Sequence, residues 1–161
     1  MKPLWENYFN KKNADSPVIH ALRSVPVFNE LTPKQFKEIS RLIHKRNYKK
    51  GEIIFKKGSL GEGMYLILSG SVVIKDPESG IVFASLTNDN FFGEMALLDE
   101  EPRSAQAEAT SPSHLIGFFR TDLMSLISRF PEMGNKILLN LSQVLTERLR
   151  EANKLLMEKP Q

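Results

Sequence analysis

The stretch Gly61-Glu62-Gly63-Met64-Tyr65-Leu66-Ile67-Leu68-Ser69-Gly70-Ser71-Val72-Val73-Ile74-Lys75-Asp76-Pro77-Glu78-Ser79-Gly80-Ile81-Val82-Phe83 decides the fold class. It holds three short apolar runs, Met64 to Leu68, Val72 to Ile74 and Ile81 to Phe83, separated by Gly70 and by Asp76 to Gly80. Runs this short and rich in β-branched residues read as strands, and Asp-Pro-Glu-Ser-Gly reads as a hairpin turn. The pattern continues outward in both directions. Gly51, Gly58, Gly93 and Gly117 extend the punctuation, and Ile53-Ile54-Phe55 and Leu115-Ile116 read as further strands. Many short strands joined by glycine-rich turns indicate a sandwich or barrel, of which the jelly roll is one form.

Helices flank this region. Ser16-Pro17 makes a helix start, with Ser16 as N-cap and Pro17 in the first turn. Thr32-Pro33-Lys34-Gln35 is a capping box, and behind it Phe36, Ile39, Leu42 and Ile43 recur at helical spacing. At the other end Ile137, Leu138, Leu141, Val144, Leu145, Leu149, Ala152, Leu155 and Leu156 fall at threes and fours. They predict one long amphipathic helix, opened near Pro131-Glu132. Residues 1–15 form a polar arm carrying Trp5, Tyr8 and Phe9. The expected architecture is α+β, a double-stranded β-helix (jelly roll) with N-terminal helices and a long C-terminal helix. Its domain is 16–161, with the β-roll over about 45–119 and C-terminal helices over about 120–158.

Composition removes several function classes. The 161 residues suit one domain, and the chain holds no cysteine, which excludes disulfides, thiol catalysis and iron–sulfur ligation. His20, His44 and His114 fall in three different predicted elements with no ligand spacing, so no metal is expected. Twenty-two basic residues are interspersed with nineteen acidic ones, for a net charge of +3 and no dense basic block, so nucleic acid is not an expected partner. No apolar run reaches membrane-spanning length, and the N-terminus lacks the apolar stretch of a signal peptide. A cytoplasmic location is expected.

The chemistry concentrates in Phe91-Phe92-Gly93-Glu94-Met95-Ala96-Leu97-Leu98 and, beyond Asp99 to Pro102, in Arg103-Ser104-Ala105. Gly93 allows close backbone approach and a turn into a short helix over Glu94 to Leu98, whose first N–H groups favour an anion. Arg103, nine residues after Glu94, can add a bidentate charge for the same anion. A carboxylate beside an anion site makes sense when the ligand also offers donors. Glu94 therefore points to a ligand bearing both a phosphate and a hydroxyl, as a ribose phosphate does.

These residues resemble the phosphate-binding cassette of cyclic-nucleotide-binding domains, the family of catabolite-activator-type regulators and of cAMP-dependent protein kinase regulatory subunits. The resemblance continues through Gly51-Glu52-Ile53-Ile54-Phe55-Lys56-Lys57-Gly58 and Gly61 to Gly70, and covers roughly residues 18–155. It implies a regulatory ligand, cAMP or cGMP, and no enzyme activity. It also implies that Glu94 accepts from the ribose 2′-hydroxyl and that Arg103 pairs with the cyclic phosphate. The backbone of Gly93 and Ala96, with Ser104, would complete the cradle, and Met95 lies within the same cassette. Ser104 after the arginine resembles cAMP-binding regulators, so cAMP is expected ahead of cGMP. Two readings stay open for Phe83, a wall of the base pocket or a core phenylalanine. Asn153 and Arg148 stand where the long helix could reach the base or Glu94, or simply face solvent.

Two departures from the family pattern stand out. Asn88, in Asn88-Asp89-Asn90, replaces a usual glycine, and Asn tolerates the left-handed backbone such a turn needs. The transcription factors of the family continue into a winged helix-turn-helix, whereas this sequence ends at Gln161, so no DNA-binding domain is expected. The expected function is a stand-alone sensor whose C-terminal helix carries the signal, either by pairing with a second copy or by meeting a separate effector. The alternatives are a nucleotide-free scaffold of the same fold, a small enzyme on a cupin-like roll, and a gas or redox sensor. An enzyme would want clustered histidines or inward-facing carboxylates, and the three histidines do not cluster; a gas or redox sensor is disfavoured by the absence of cysteine.

Overall fold

Ser16 opens the first helix as the sequence predicts: its hydroxyl accepts from Ile19 N–H at 3.3 Å, and α1 runs over Pro17–Ser24. The computed structural model describes residues 16–159; the N-terminal arm, with Trp5, Tyr8 and Phe9, lies outside the described residues. A short 3₁₀ turn, Pro26–Phe28, leads to α2, Pro33–Leu42. Both bonds of the Thr32/Gln35 capping box form, Gln35 N–H to the Thr32 hydroxyl at 3.2 Å and Thr32 N–H to Gln35 Oε1 at 2.9 Å. Ile43 was read with the helix but already has extended backbone, φ −76° and ψ 153°.

Eight strands follow: β1 His44–Tyr48, β2 Ile53–Phe55, β3 Gly63–Ser69, β4 Val72–Lys75, β5 Val82–Leu86, β6 Phe91–Phe92, β7 Gln106–Ala109 and β8 Ser113–Phe119. They form two four-stranded antiparallel sheets, in the orders β1-β8-β3-β6 and β2-β7-β4-β5. This is the expected jelly roll. Strand β3 shows why its sequence is apolar without alternation. Tyr65 and Ile67 face the space between the sheets with Val72, Phe92, Ala107 and Leu115, while Met64 and Leu66 face the helices. Both faces of the strand are buried, so both alternating sets must be apolar.

Two strands were not legible. β1, His-Lys-Arg-Asn-Tyr, is an edge strand with its middle residues exposed, and β7, Gln-Ala-Glu-Ala, is built from poor strand formers. Tertiary pairing overrides local propensity in both. β5 begins at Val82 and extends to Leu86, one residue later and three further than the predicted run. Gly117 does not punctuate a run; it sits inside β8, opposite His44 on one side and Tyr65 on the other. In the turn before β6 the left-handed residue is Asp89, φ 66°, and not Asn88. Asn88 instead accepts Gly70 N–H on its side-chain oxygen at 3.1 Å.

The chain closes with α3, Arg120–Arg129, and α4, Pro131–Glu158. The larger core lies between the β3–β8 face and the helices, where Leu22, Phe28, Ile39, Leu123, Leu126, Ile137 and Leu141 are buried. Each such side chain contributes about 1.5–3 kcal/mol on burial. At 28 residues α4 is about 42 Å long, and its buried residues, Met133 to Val144, all belong to its first half. From Thr146 onward it is exposed, including Leu149, Leu155 and Leu156.

Candidate functional site

Gly93 ends β6 in the left-handed region, φ 77° and ψ 16°, and caps a 3₁₀ turn over Glu94–Leu97. That turn is the short helix expected from the sequence, in its tighter form. A Cβ at Gly93 would stand 2.7 Å from Arg103 Nη1, so the position needs glycine for its backbone and for space. Ala96 N–H closes the turn on the Gly93 carbonyl through a long bond of 3.3 Å.

Arg103 comes from the segment leading into β7 and is locked there by the Gly58 turn. Gly58 N–H donates to the Arg103 carbonyl at 2.7 Å, and Arg103 N–H donates to the Ser59 carbonyl at 2.8 Å. The two glycine-rich stretches of the sequence are therefore parts of one construction. The guanidinium donates from Nη1 to the Gly93 carbonyl at 3.0 Å and from Nη2 to the Gly63 carbonyl at 2.6 Å. It also lies over the Phe55 ring, 4.1 Å from its centroid. Burial pulls its pKa below the ordinary guanidinium value, while Tyr65, Glu62 and Glu94 nearby favour the charge.

Glu94 is only 2% exposed. Arg148, reaching in from α4, donates from Nη1 to Glu94 Oε1 at 2.9 Å and lies 5.1 Å from the centroid of the Phe91 ring. Among the described residues the buried side-chain polar atoms without a hydrogen-bond partner are Glu94 Oε2 and Arg103 Nε. An acceptor and a donor, each on a charged group, are thus left unsatisfied at one site.

A cleft of about 420 Å³ opens at this point. Gly93, Glu94, Met95, Ala96, Arg103, Ser104 and Phe83 all line it, so the structure brings together seven of the eight expected site residues. Phe83 stands on β5, 60% exposed, and is a cleft wall rather than a core residue. Asn153 is not in the lining; it is exposed on α4, five residues past Arg148. Arg148 is the residue through which α4 joins the site. Its sequence signal was weak, because it is one of several charged residues on that helix. Phe55, Ile74, Leu86 and Phe91 also line the cleft; the sequence shows Phe55 and Ile74 only as strand residues, gives no role to Leu86, and places Phe91 at the head of the cassette stretch. Their contribution depends on how β2, β4, β5 and β6 are brought together, which no local pattern encodes.

The family model of the cyclic nucleotide-binding domain matches residues 45–130. The chain is 36% identical over 135 residues to the cyclic AMP receptor protein of Thermus thermophilus, covering 82% of this chain and 61% of that protein. It is 34% identical over 90 residues to a cAMP-dependent protein kinase regulatory subunit of Hypocrea atroviridis, covering 56% of this chain and 19% of that one. The chain therefore spans less than two thirds of either relative. Among solved structures, a cyclic nucleotide-binding domain from Methylobacillus flagellatus superposes with a TM-score of 0.76 at 27% identity, covering 97% of this chain and 86% of that one. The chain belongs to the cyclic nucleotide-binding domain family.

Proposed function

We propose that this chain is a sensor that binds a 3′,5′-cyclic purine nucleotide, cAMP ahead of cGMP, does not turn it over, and signals through α4. The observation that carries the reading is the pair of orphaned atoms, Glu94 Oε2 and Arg103 Nε, at one cleft. Leaving a buried polar atom without a partner costs roughly 1–3 kcal/mol, more on a charged group. A ligand that offers an acceptor to Arg103 and a donor to Glu94 relieves both, and a ribose cyclic phosphate carries that pair of groups. Arg103 then holds the phosphate with help from the Gly93–Ala96 turn and Ser104, and Glu94 accepts from the 2′-hydroxyl. The apolar wall of Ile74, Phe83 and Leu86 suits the flat face of a purine. Ser104 and the cAMP named in both curated relatives support cAMP over cGMP.

The output runs through Arg148. Because it bonds Glu94, any shift of the cassette on ligand binding pulls on α4, and the ligand acts through its different affinity for the two helix positions. The exposed stripe of Leu149, Leu155 and Leu156 gives the moving half of α4 a face for a second copy or an effector.

Calorimetric titration with cAMP, cGMP and 2′-deoxy-cAMP tests this reading. Saturable binding of cAMP is expected, with a loss of about 1.5–3 kcal/mol for the deoxy compound, the range for a hydrogen bond to a charged group. The nucleotide should be recovered intact by chromatography. A flat titration with both cyclic nucleotides would favour the nucleotide-free scaffold, and 5′-AMP formed in proportion to protein would make the chain an enzyme.

A further inference from the structure

We infer that Phe55 is a positioning residue for the phosphate end of the site: its ring fixes the Arg103 guanidinium in its working pose before a ligand arrives. The inference deepens the nucleotide-binding reading and rests on it for the identity of the ligand. Arginine is long and flexible, and a guanidinium that must be ordered on binding weakens affinity by the entropy lost. In this chain the ordering is already done. The guanidinium carbon lies over the Phe55 ring, 4.1 Å from its centroid, and the carbonyls of Gly63 and Gly93 take one bond each from Nη2 and Nη1. The ring fixes the plane and the two carbonyls fix the rotation within it. Gly61 packs against the same side chain: a Cβ there would stand 2.5 Å from Ala96 Cβ and 3.3 Å from Arg103 Cζ.

Phe55 is itself held rigidly. It ends β2 opposite Ala107, and its ring lies 6.2 Å from Tyr65 and 5.9 Å from Phe92, between centroids. Those rings belong to the core between the sheets, so the guanidinium is mounted on the core through one aromatic side chain. Nη1 and Nη2 each spend one N–H on a carbonyl and keep a second, while Nε–H has no partner. By holding that pose, Phe55 leaves Nε–H and the second N–H groups of Nη1 and Nη2 for an acceptor. A leucine would fill similar space but offer no π face, whereas a tyrosine would retain one.

The test is a double-mutant cycle read by calorimetry with cAMP, together with an NMR measurement on the ligand-free chain. F55L should weaken cAMP binding about five- to thirtyfold, the factor that a desolvated cation–π contact supplies, and F55Y should stay within about threefold. In an R103A background F55L should change affinity by less than about twofold, because Phe55 acts only through Arg103. Equal losses in both backgrounds would overturn the inference and leave Phe55 as plain packing. In the free chain the Arg103 Nε–H signal, identified by its loss in R103K, should be displaced by the Phe55 ring current. It should keep that displacement in F55Y and move to the ordinary arginine position in F55L. A wild-type signal at the ordinary position also sinks the inference, even if F55L fails to fold. A flat wild-type titration with cAMP would instead refute the nucleotide reading, and the free-chain signal still decides the role of Phe55.

Discussion

At the scale of single residues the candidate site is built on charges that also hold the fold, and Asp76 adds a charged anchor in the β4–β5 hairpin. Its carboxylate accepts from Ser79 Oγ at 2.7 Å, from two turn amides, and from Lys57 Nζ at 2.9 Å. The bond from Lys57, then that from Ser79, holds its pKa down from an ordinary 3.8 to about 2. Lys57 precedes Gly58, whose N–H fixes the Arg103 carbonyl, so Asp76 ties the hairpin carrying Phe83 to the turn carrying Arg103. Because the folded pKa lies below the unfolded one, the stabilisation is complete above pH 3.8 and is lost as pH falls through about 2. Thermal melts of wild type and Asp76→Asn should therefore differ by a constant amount near neutrality, and the gap should close between pH 4 and 2. A gap that does not change across that window would show that the Lys57 and Ser79 bonds do not lower the carboxyl pKa in solution.

At the scale of elements, α4 is buried in its first half and exposed in its second, where Arg148 still reaches Glu94. Asn140, 8% exposed, donates from Nδ2 to the Val27 carbonyl at 3.2 Å and to the Asn29 carbonyl at 2.9 Å. Lys136 Nζ donates to the Glu30 carbonyl at 2.7 Å. These bonds pin the first half of the helix to the 3₁₀ turn after α1 and the residues that follow it. Asn140→Ala removes the donor and leaves those carbonyls poorly satisfied, a cost of roughly 1–3 kcal/mol, or about 2–12 °C in Tm for a chain of this size. An unchanged melting temperature would show that the anchor lies in the apolar contacts of Met133, Ile137 and Leu141 alone. The sequence made this helix legible because its apolar spacing is regular over many turns, and it made β3 legible because a strand buried on both faces must be continuously apolar. It did not disclose which half of α4 is covered, since Leu138 and Leu155 carry the same local pattern. The cassette was legible for a different reason: Gly93 to Ala96 and Arg103-Ser104 are near neighbours in the chain, so their chemistry is written in one stretch. Arg148 enters from α4, where the sequence left contact with Glu94 or a solvated face both open. Phe55 enters from β2, and its place beside Arg103 appears only when the sheets are assembled.

At the scale of the whole molecule, Arg148 joins the ligand cleft to the exposed half of α4, and the last prediction concerns that joint. Glu94 is almost fully buried, whereas the Arg148 side chain remains 45% exposed. The pair is therefore unequal: Glu94 needs Arg148 more than Arg148 needs Glu94. Arg148→Met keeps much of the side-chain length and its cover over Phe91 but deletes the charge. The free chain should lose on the order of 1–3 kcal/mol, because the Glu94 carboxylate is left buried without its cation. Ligand binding should persist within about tenfold, since Arg103 and the Gly93 turn are untouched. What should disappear is the message. If the proposed coupling through Arg148 holds, hydrogen exchange of the amides of 145–158 should change severalfold when cAMP is added to the wild type. In Arg148→Met, saturated with cAMP, the same amides should exchange at the rate of the ligand-free variant. An undiminished response in the variant would route the signal through α3 and the packed first half of α4. Loss of both binding and response would assign Arg148 to the ligand itself.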